Sequence, residues 1–151
     1  MGLLNRIEEL EKELLELKEQ VKSEQEFPQS GERYWYSNGG GMVNSCFWKS
    51  EQFDLNRYRI GNMFKAEKEA EFAVEKLKVE AELRKFSRPF MDGEKNNHIT
   101  YRPSFDELSV SASFGYQDQG IIYFESTTIA NEAIDAIGEN RIKKYIFGLE
   151  D

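Results

Sequence analysis

Six apolar residues at the start of the chain, Leu3, Ile7, Leu10, Leu14, Leu17 and Val21, are spaced 4, 3, 4, 3 and 4 positions apart among mostly charged neighbours. This is a heptad rhythm, with Ile7, Leu14 and Val21 at a and Leu3, Leu10 and Leu17 at d. It predicts a coiled-coil oligomerisation helix over residues 1–25, with those six side chains as the contact face. The flanking positions agree. Arg6 would face Glu11 of a parallel partner, and Glu13 would face Lys18. Ile and Val at a with Leu at d favour two strands, whereas Leu14 at a admits three or four. The competing reading is an amphipathic helix folded back on its own domain; the narrow stripe and the polar spacer Lys22–Glu26 count against it. Three heptads are short for an isolated helix, which must overcome its nucleation cost through association.

Beyond a linker at 26–31, broken by Pro28 and Gly31, the rhythm changes. Arg33–Tyr36 reads as a strand, Ser37–Gly41 as a tight turn around Asn38-Gly39, and Met42–Trp48 as the returning strand. A loop over Lys49–Asn56 and a third strand over Arg57–Phe64 are expected next. Ala70, Ala73, Val74, Leu77 and Ala81 then outline one face of a helix over Ala66–Arg84. The plan recurs. His98–Arg102 and Leu108–Phe114 are expected strands around a turn at Pro103–Glu107, and Ile121–Glu125 a third. Ser126 or Thr127 caps a helix carrying Ile129, Ala133, Ile134 and Ile137, and Glu139–Phe147 continues as helix after Gly138.

The two passages match at a fixed offset. Phe64, Ala70, Ala73, Val74 and Leu77 correspond to Phe124, Ala130, Ala133, Ile134 and Ile137, each 60 positions on. Internal repetition is a strong guide to architecture. The expected fold is α+β: a coiled-coil helix, then a pseudo-duplicated β-β-β-α domain over 32–151, with repeats at 32–88 and 97–151.

Composition narrows the possible roles. Acids outnumber bases 28 to 20 in 151 residues, a net charge of -8, which argues against general nucleic-acid binding, whose footprint is basic. No run approaches the ~18 apolar residues of a membrane span, and the start lacks an apolar signal core. Gly2 is followed at position 6 by Arg, where a myristoylation signal has Ser or Thr. The single Cys46 cannot form an internal disulfide, and a reducing cytoplasm is the expected setting.

Catalytic signals are sparse. His98 is the one histidine, it lacks a nucleophile elbow, and it reads as an ordinary surface residue. One His and one Cys 52 positions apart make no metal cluster. Gly39–Gly41 lacks the Lys-Ser/Thr of a phosphate loop. Neither an enzyme, a metal nor a cofactor is expected. The more informative patch mixes rings and cations: Tyr34, Trp35, Tyr36, Trp48, Arg57, Arg59 and Lys65. Rings on one face with guanidinium forks would suit stacking and anion recognition. The alternative is that alternate rings form the core of a small sheet. Arg84, Lys85, Arg88, Arg141, Lys143 and Lys144 would extend a basic rim, a local positive field in an acidic molecule.

The words Gly-Glu-Arg-Tyr-Trp-Tyr (31–36), Arg-Tyr-Arg-Ile-Gly-Asn-Met-Phe-Lys (57–65) and Glu-Ala-Glu-Phe-Ala (69–73), behind an N-terminal heptad helix, resemble a family of small phage and prophage accessory proteins of Gram-positive bacteria. The chain departs from that pattern at Ala66, where such sequences often carry a capping Thr. The resemblance carries no catalytic residues. It implies a non-enzymatic protein of the infected bacterial cytoplasm that counters a host antiviral defence by sequestering a ligand, a small nucleotide immune signal being the sharper form. An anti-CRISPR-like inhibitor that binds a host defence protein directly is the alternative. A nucleotide-processing enzyme ranks last, and a virion component is a further possibility. The expected partners are other copies of the chain and that host component or nucleotide.

Overall fold

The computed structural model describes residues 2–150, apart from the side chains of 22–25. It is an α+β protein. In chain order, α1 (Leu3–Gln25) precedes β1 (Arg33–Ser37), β2 (Val43–Phe47), α2 (Gln52–Arg59), α3 (Glu67–Arg84), β3 (Asn96–Arg102), a 3-10 turn (Pro103–Phe105), β4 (Glu107–Ser113), α4 (Thr127–Ile137) and α5 (Glu139–Tyr145). Two compact units divide after Glu71.

Twenty-three residues of α1 make a rod about 35 Å long at 1.5 Å per residue. It does not fold back on its unit. Every residue from 2 to 21 is exposed, and the a and d side chains are among the most open apolar groups, from 46% (Leu10) to 84% (Leu3).

In the first unit β1 and β2 form an antiparallel hairpin with Tyr34 opposite Cys46 and Trp35 opposite Ser45. The turn is built by Asn38. Its backbone N–H donates to Met42 O at 2.8 Å, and its Oδ1 accepts from the N–H groups of Gly40 and Met42. Such Asx geometry stabilises the reversal locally.

The expected loop and third strand at 49–64 are not what forms. Residues Gln52–Arg59 are helical instead. The helix start is set by Asp54, whose Oδ2 accepts the N–H of Glu51 at 3.2 Å, engaging an amide that the helix leaves unpaired. The end is set by Gly61 at φ +73°, the left-handed conformation that glycine adopts freely. Of the expected strand only Phe64 remains. It pairs with Trp35 through two 2.9 Å backbone hydrogen bonds, while Asn62 pins the approach by bonding both Ser37 N and Ser37 O.

The second unit holds the antiparallel hairpin β3–β4, in register from Asn96–Ser113 to Arg102–Glu107. Its expected third strand is likewise reduced, here to bridges of Phe124 with Asn97 and of Tyr123 with Arg88. Ser126 caps α4, accepting the Ile129 N–H at 3.1 Å. Val79, Leu83, Phe124, Ala130, Ala133, Ile137 and Ile142 close the core. Beneath Phe124 the buried Asn97 amide donates to Phe124 O and Glu125 O and accepts from Thr127 Oγ1, so this polar insertion is satisfied.

Candidate functional site: an arginine held on a ring of aromatics

Successive side chains on a strand point to opposite faces, and β1 divides the candidate patch accordingly. Tyr34 and Tyr36 share one face, their ring centroids 6.0 Å apart. Trp48 meets Tyr34 edge-on at 6.4 Å and Tyr58 at 6.3 Å. Helix α2 lays Arg57 over this group, its guanidinium carbon 3.5 Å from the Tyr36 centroid and 4.9 Å from that of Phe53. On the other face Arg33 covers Trp35 at 4.7 Å and donates to Ser45 Oγ at 2.8 Å. Trp35 therefore does not join the Tyr36–Arg57 cluster. Arg59 is exposed on α2, and Lys65 lies 5.4 Å from the ring of Phe27.

The cluster has a polar floor. Tyr34 and Asp54 are both fully buried. The Tyr34 hydroxyl donates to Asp54 Oδ1 and accepts from Arg57 at 2.8 Å. Asp54 Oδ2 takes the N–H groups of Lys49 and Glu51. Burial raises the Tyr34 pKa, the bond to Asp54 adds to the rise, and Arg57 opposes it. Burial pushes Asp54 upward as well, yet its pKa is lowered: the bonds from Tyr34 and the two backbone amides, with the Arg57 charge, outweigh desolvation. For Arg57, burial works against the charge but the bond to Tyr34 prevails, and the pKa rises. The floor is thus a neutral phenol between a carboxylate and a guanidinium.

Enclosure gives Tyr34 a supporting role: it holds Arg57 and Asp54 and presents no surface to a ligand. Tyr36, Trp48 and Arg57 are half-buried. A guanidinium carries five N–H donors; among the described residues, Arg57 donates to the Tyr34 hydroxyl. Sequence reasoning missed Asp54, which lay in an expected loop. The signal available was an acidic residue three positions after Glu51, the spacing of a capping pair.

The wider basic rim is mostly engaged inside the second unit. Arg141 grips both carboxylate oxygens of Glu82 at 2.9 and 3.3 Å. Arg88 donates to Asn96 Oδ1 and to the carbonyls of Pro89 and Lys95. Lys143 reaches Asp106 O at 2.6 Å, and Lys144 lies 5.6 Å from the Tyr145 ring. Arg84 lies 3.7 Å from Glu80. His98 is not the surface residue expected: it stacks edge-on against Tyr123 at 5.9 Å, with Nδ1 buried. Among the described residues, no three His, Cys, Asp or Glu side chains converge on a metal position, and no helix is long and apolar enough to cross a membrane.

Comparison of the chain with protein-family models, with curated proteins and with solved structures found no match.

Proposed function

We propose that this is a non-enzymatic, oligomeric phage accessory protein that counters a host antiviral defence by binding and sequestering a ligand, in its sharper form a small nucleotide signal. The observation that carries the ligand reading is Arg57: a half-buried guanidinium resting on Tyr36 and fixed from below by Tyr34, whose ring Trp48 meets edge-on. A planar fork beside aromatic rings suits a ligand that joins a base to a phosphate. Phage origin rests on the sequence resemblance.

Oligomerisation through a coiled coil is supported by the open heptad stripe of α1. A parallel pair sets Arg6 against Glu11 and Glu13 against Lys18, whereas an antiparallel pair centred on the stripe would set Glu11 and Glu13 against their own copies. Charge therefore favours the parallel arrangement. Pseudo-duplication of the body is supported by Phe64 and Phe124, each bridging the first strand of a hairpin just before a helix, and by the complete burial of Ala70 and Ala130.

Calorimetry against cyclic and ADP-ribose-derived nucleotides tests the sharper form. One class is expected to bind at micromolar concentration, and Arg57→Lys, which keeps the charge but loses the planar fork, to weaken it at least tenfold. Silence across the panel removes the nucleotide reading. Direct inhibition of a host protein is favoured by one other observation: Met42, Phe47, Tyr58 and Ile60 are all exposed on the first unit, an apolar set that suits a protein partner. A stoichiometric partner from host lysate, with no nucleotide bound, would decide for it.

A further inference from the structure

We propose that the second unit carries a separate binding site for a small amphipathic anion, a molecule with an apolar body and a single negatively charged head. Between the C-terminal half of α3, β3, the 120–124 segment and α5 lies a hollow of about 260 Å³. Its floor is made by Leu83, Phe124 and Ile142, all core residues, and Ile99, Ile122 and Ile146 complete the apolar wall. The hollow is open to water, and an apolar wall left against water forgoes the roughly 25 cal/mol per Å² that covering it would return. A hollow kept open by such side chains points to an occupant.

The mouth specifies the head group. Lys76, Glu80 and Arg84 line one edge at four-residue spacing on α3, one above another on the same helix face. Glu80 offsets one of the two cations through its 3.7 Å contact with Arg84. Lys76 has no acceptor among the described residues. The lip is therefore locally positive by one charge, in a chain whose net charge is -8. Gly120 also lines the hollow, and an added Cβ there would meet nothing within 4 Å. The volume lies just under the ~300–1,000 Å³ of drug-sized ligand sites, which sets the size of the body at one or two rings or a short alkyl chain. All lining residues belong to the second unit, and the site is independent of Arg57.

The test uses 8-anilinonaphthalene-1-sulfonate, two ring systems with one sulfonate, titrated into the full chain by fluorescence, with amide chemical shifts recorded in parallel. Saturable binding is expected, with shifts centred on Leu83, Ile122, Phe124 and Ile142. Lys76→Glu, an exposed change that leaves the fold intact, should weaken it at least tenfold, and uncharged N-phenyl-1-naphthylamine should bind at least tenfold more weakly than the sulfonate. Ile122→Trp should fill the hollow and abolish the shifts. Shifts confined to the α1 stripe, or equal affinity for the charged and uncharged probes, would overturn the proposal; so would indifference to Lys76→Glu.

Discussion

Tyr34 and Asp54, twenty residues apart, meet inside the first unit with both side chains fully buried, the phenol donating to the carboxylate. Asp54 also organises the start of α2, and Tyr34 supports Arg57 from below. One hydrogen bond thus joins the hairpin to the helix that bears the candidate ligand-binding guanidinium.

Tyr34→Phe should therefore destabilise the first unit by about 1.5–3 kcal/mol, since it leaves one buried oxygen of Asp54 without its donor and removes the support of Arg57. Urea unfolding followed by tryptophan fluorescence checks this, because Trp35 and Trp48 both lie in that unit. A loss below about 0.5 kcal/mol would show that the network contributes nothing to the fold.

The same pair predicts a pH profile. The folded pKa of Asp54 is lowered, so its stabilisation is complete above the ordinary carboxylate value, about pH 4, and is lost as pH falls through the folded value. That of Tyr34 is raised, so its stabilisation is complete below about pH 10 and is lost as pH climbs beyond it. Thermal melts of wild type against Asp54→Asn should converge at the acid end, and melts against Tyr34→Phe at the alkaline end.

Leu77 and Ile137 hold equivalent places in the 60-residue offset, but their burial differs: Leu77 is 59% exposed and Ile137 5%. Ile137→Ala should cost about 2–5 kcal/mol, while Leu77→Ala should stay within about 1 kcal/mol. Equal costs would mean that Leu77 is covered in solution, by another copy of the chain or by a partner.

Complete burial of Ala70 and Ala130 makes both intolerant of size. Ala→Leu at either position should cost about 1–3 kcal/mol through overpacking, read as a lowered midpoint in thermal unfolding.

The heptad stripe predicts an assembly larger than the 17.7 kDa chain at micromolar concentration in sedimentation. Leu10→Lys should dissociate it. Glu13→Lys should weaken it, and pairing Glu13→Lys with Lys18→Glu should restore it, because the exchange re-forms the parallel contact with its charges reversed. A monomeric wild type with α1 loose in solution would remove the oligomeric reading.

Local periodicity was enough to reveal α1, both hairpins, α3 and α4 to within a residue or two, since each is defined by side chains close in the chain: the heptad, Asn38-Gly39, the apolar face 70–81, the Ser126 cap. Helix α2 was hidden because Arg57–Phe64 alternates like a strand, whereas its helical state is set by Asp54 bonding to Glu51 and to Tyr34 on another element. Two third strands shrank to bridges at Phe64 and Phe124 because pairing partners come from distant hairpins, and side chains such as Asn62 and Asn97 secure the approach in place of a ladder. The candidate residues were legible as types. Which of them meet was decided in three dimensions: the alternation of β1 sends Trp35 away from Tyr36, and only the packing of α2 sets Arg57 on that ring. A chain's own spacing determines which elements can form; their contacts determine which polar groups lose water, and so which residues support a site and which are left to face a ligand.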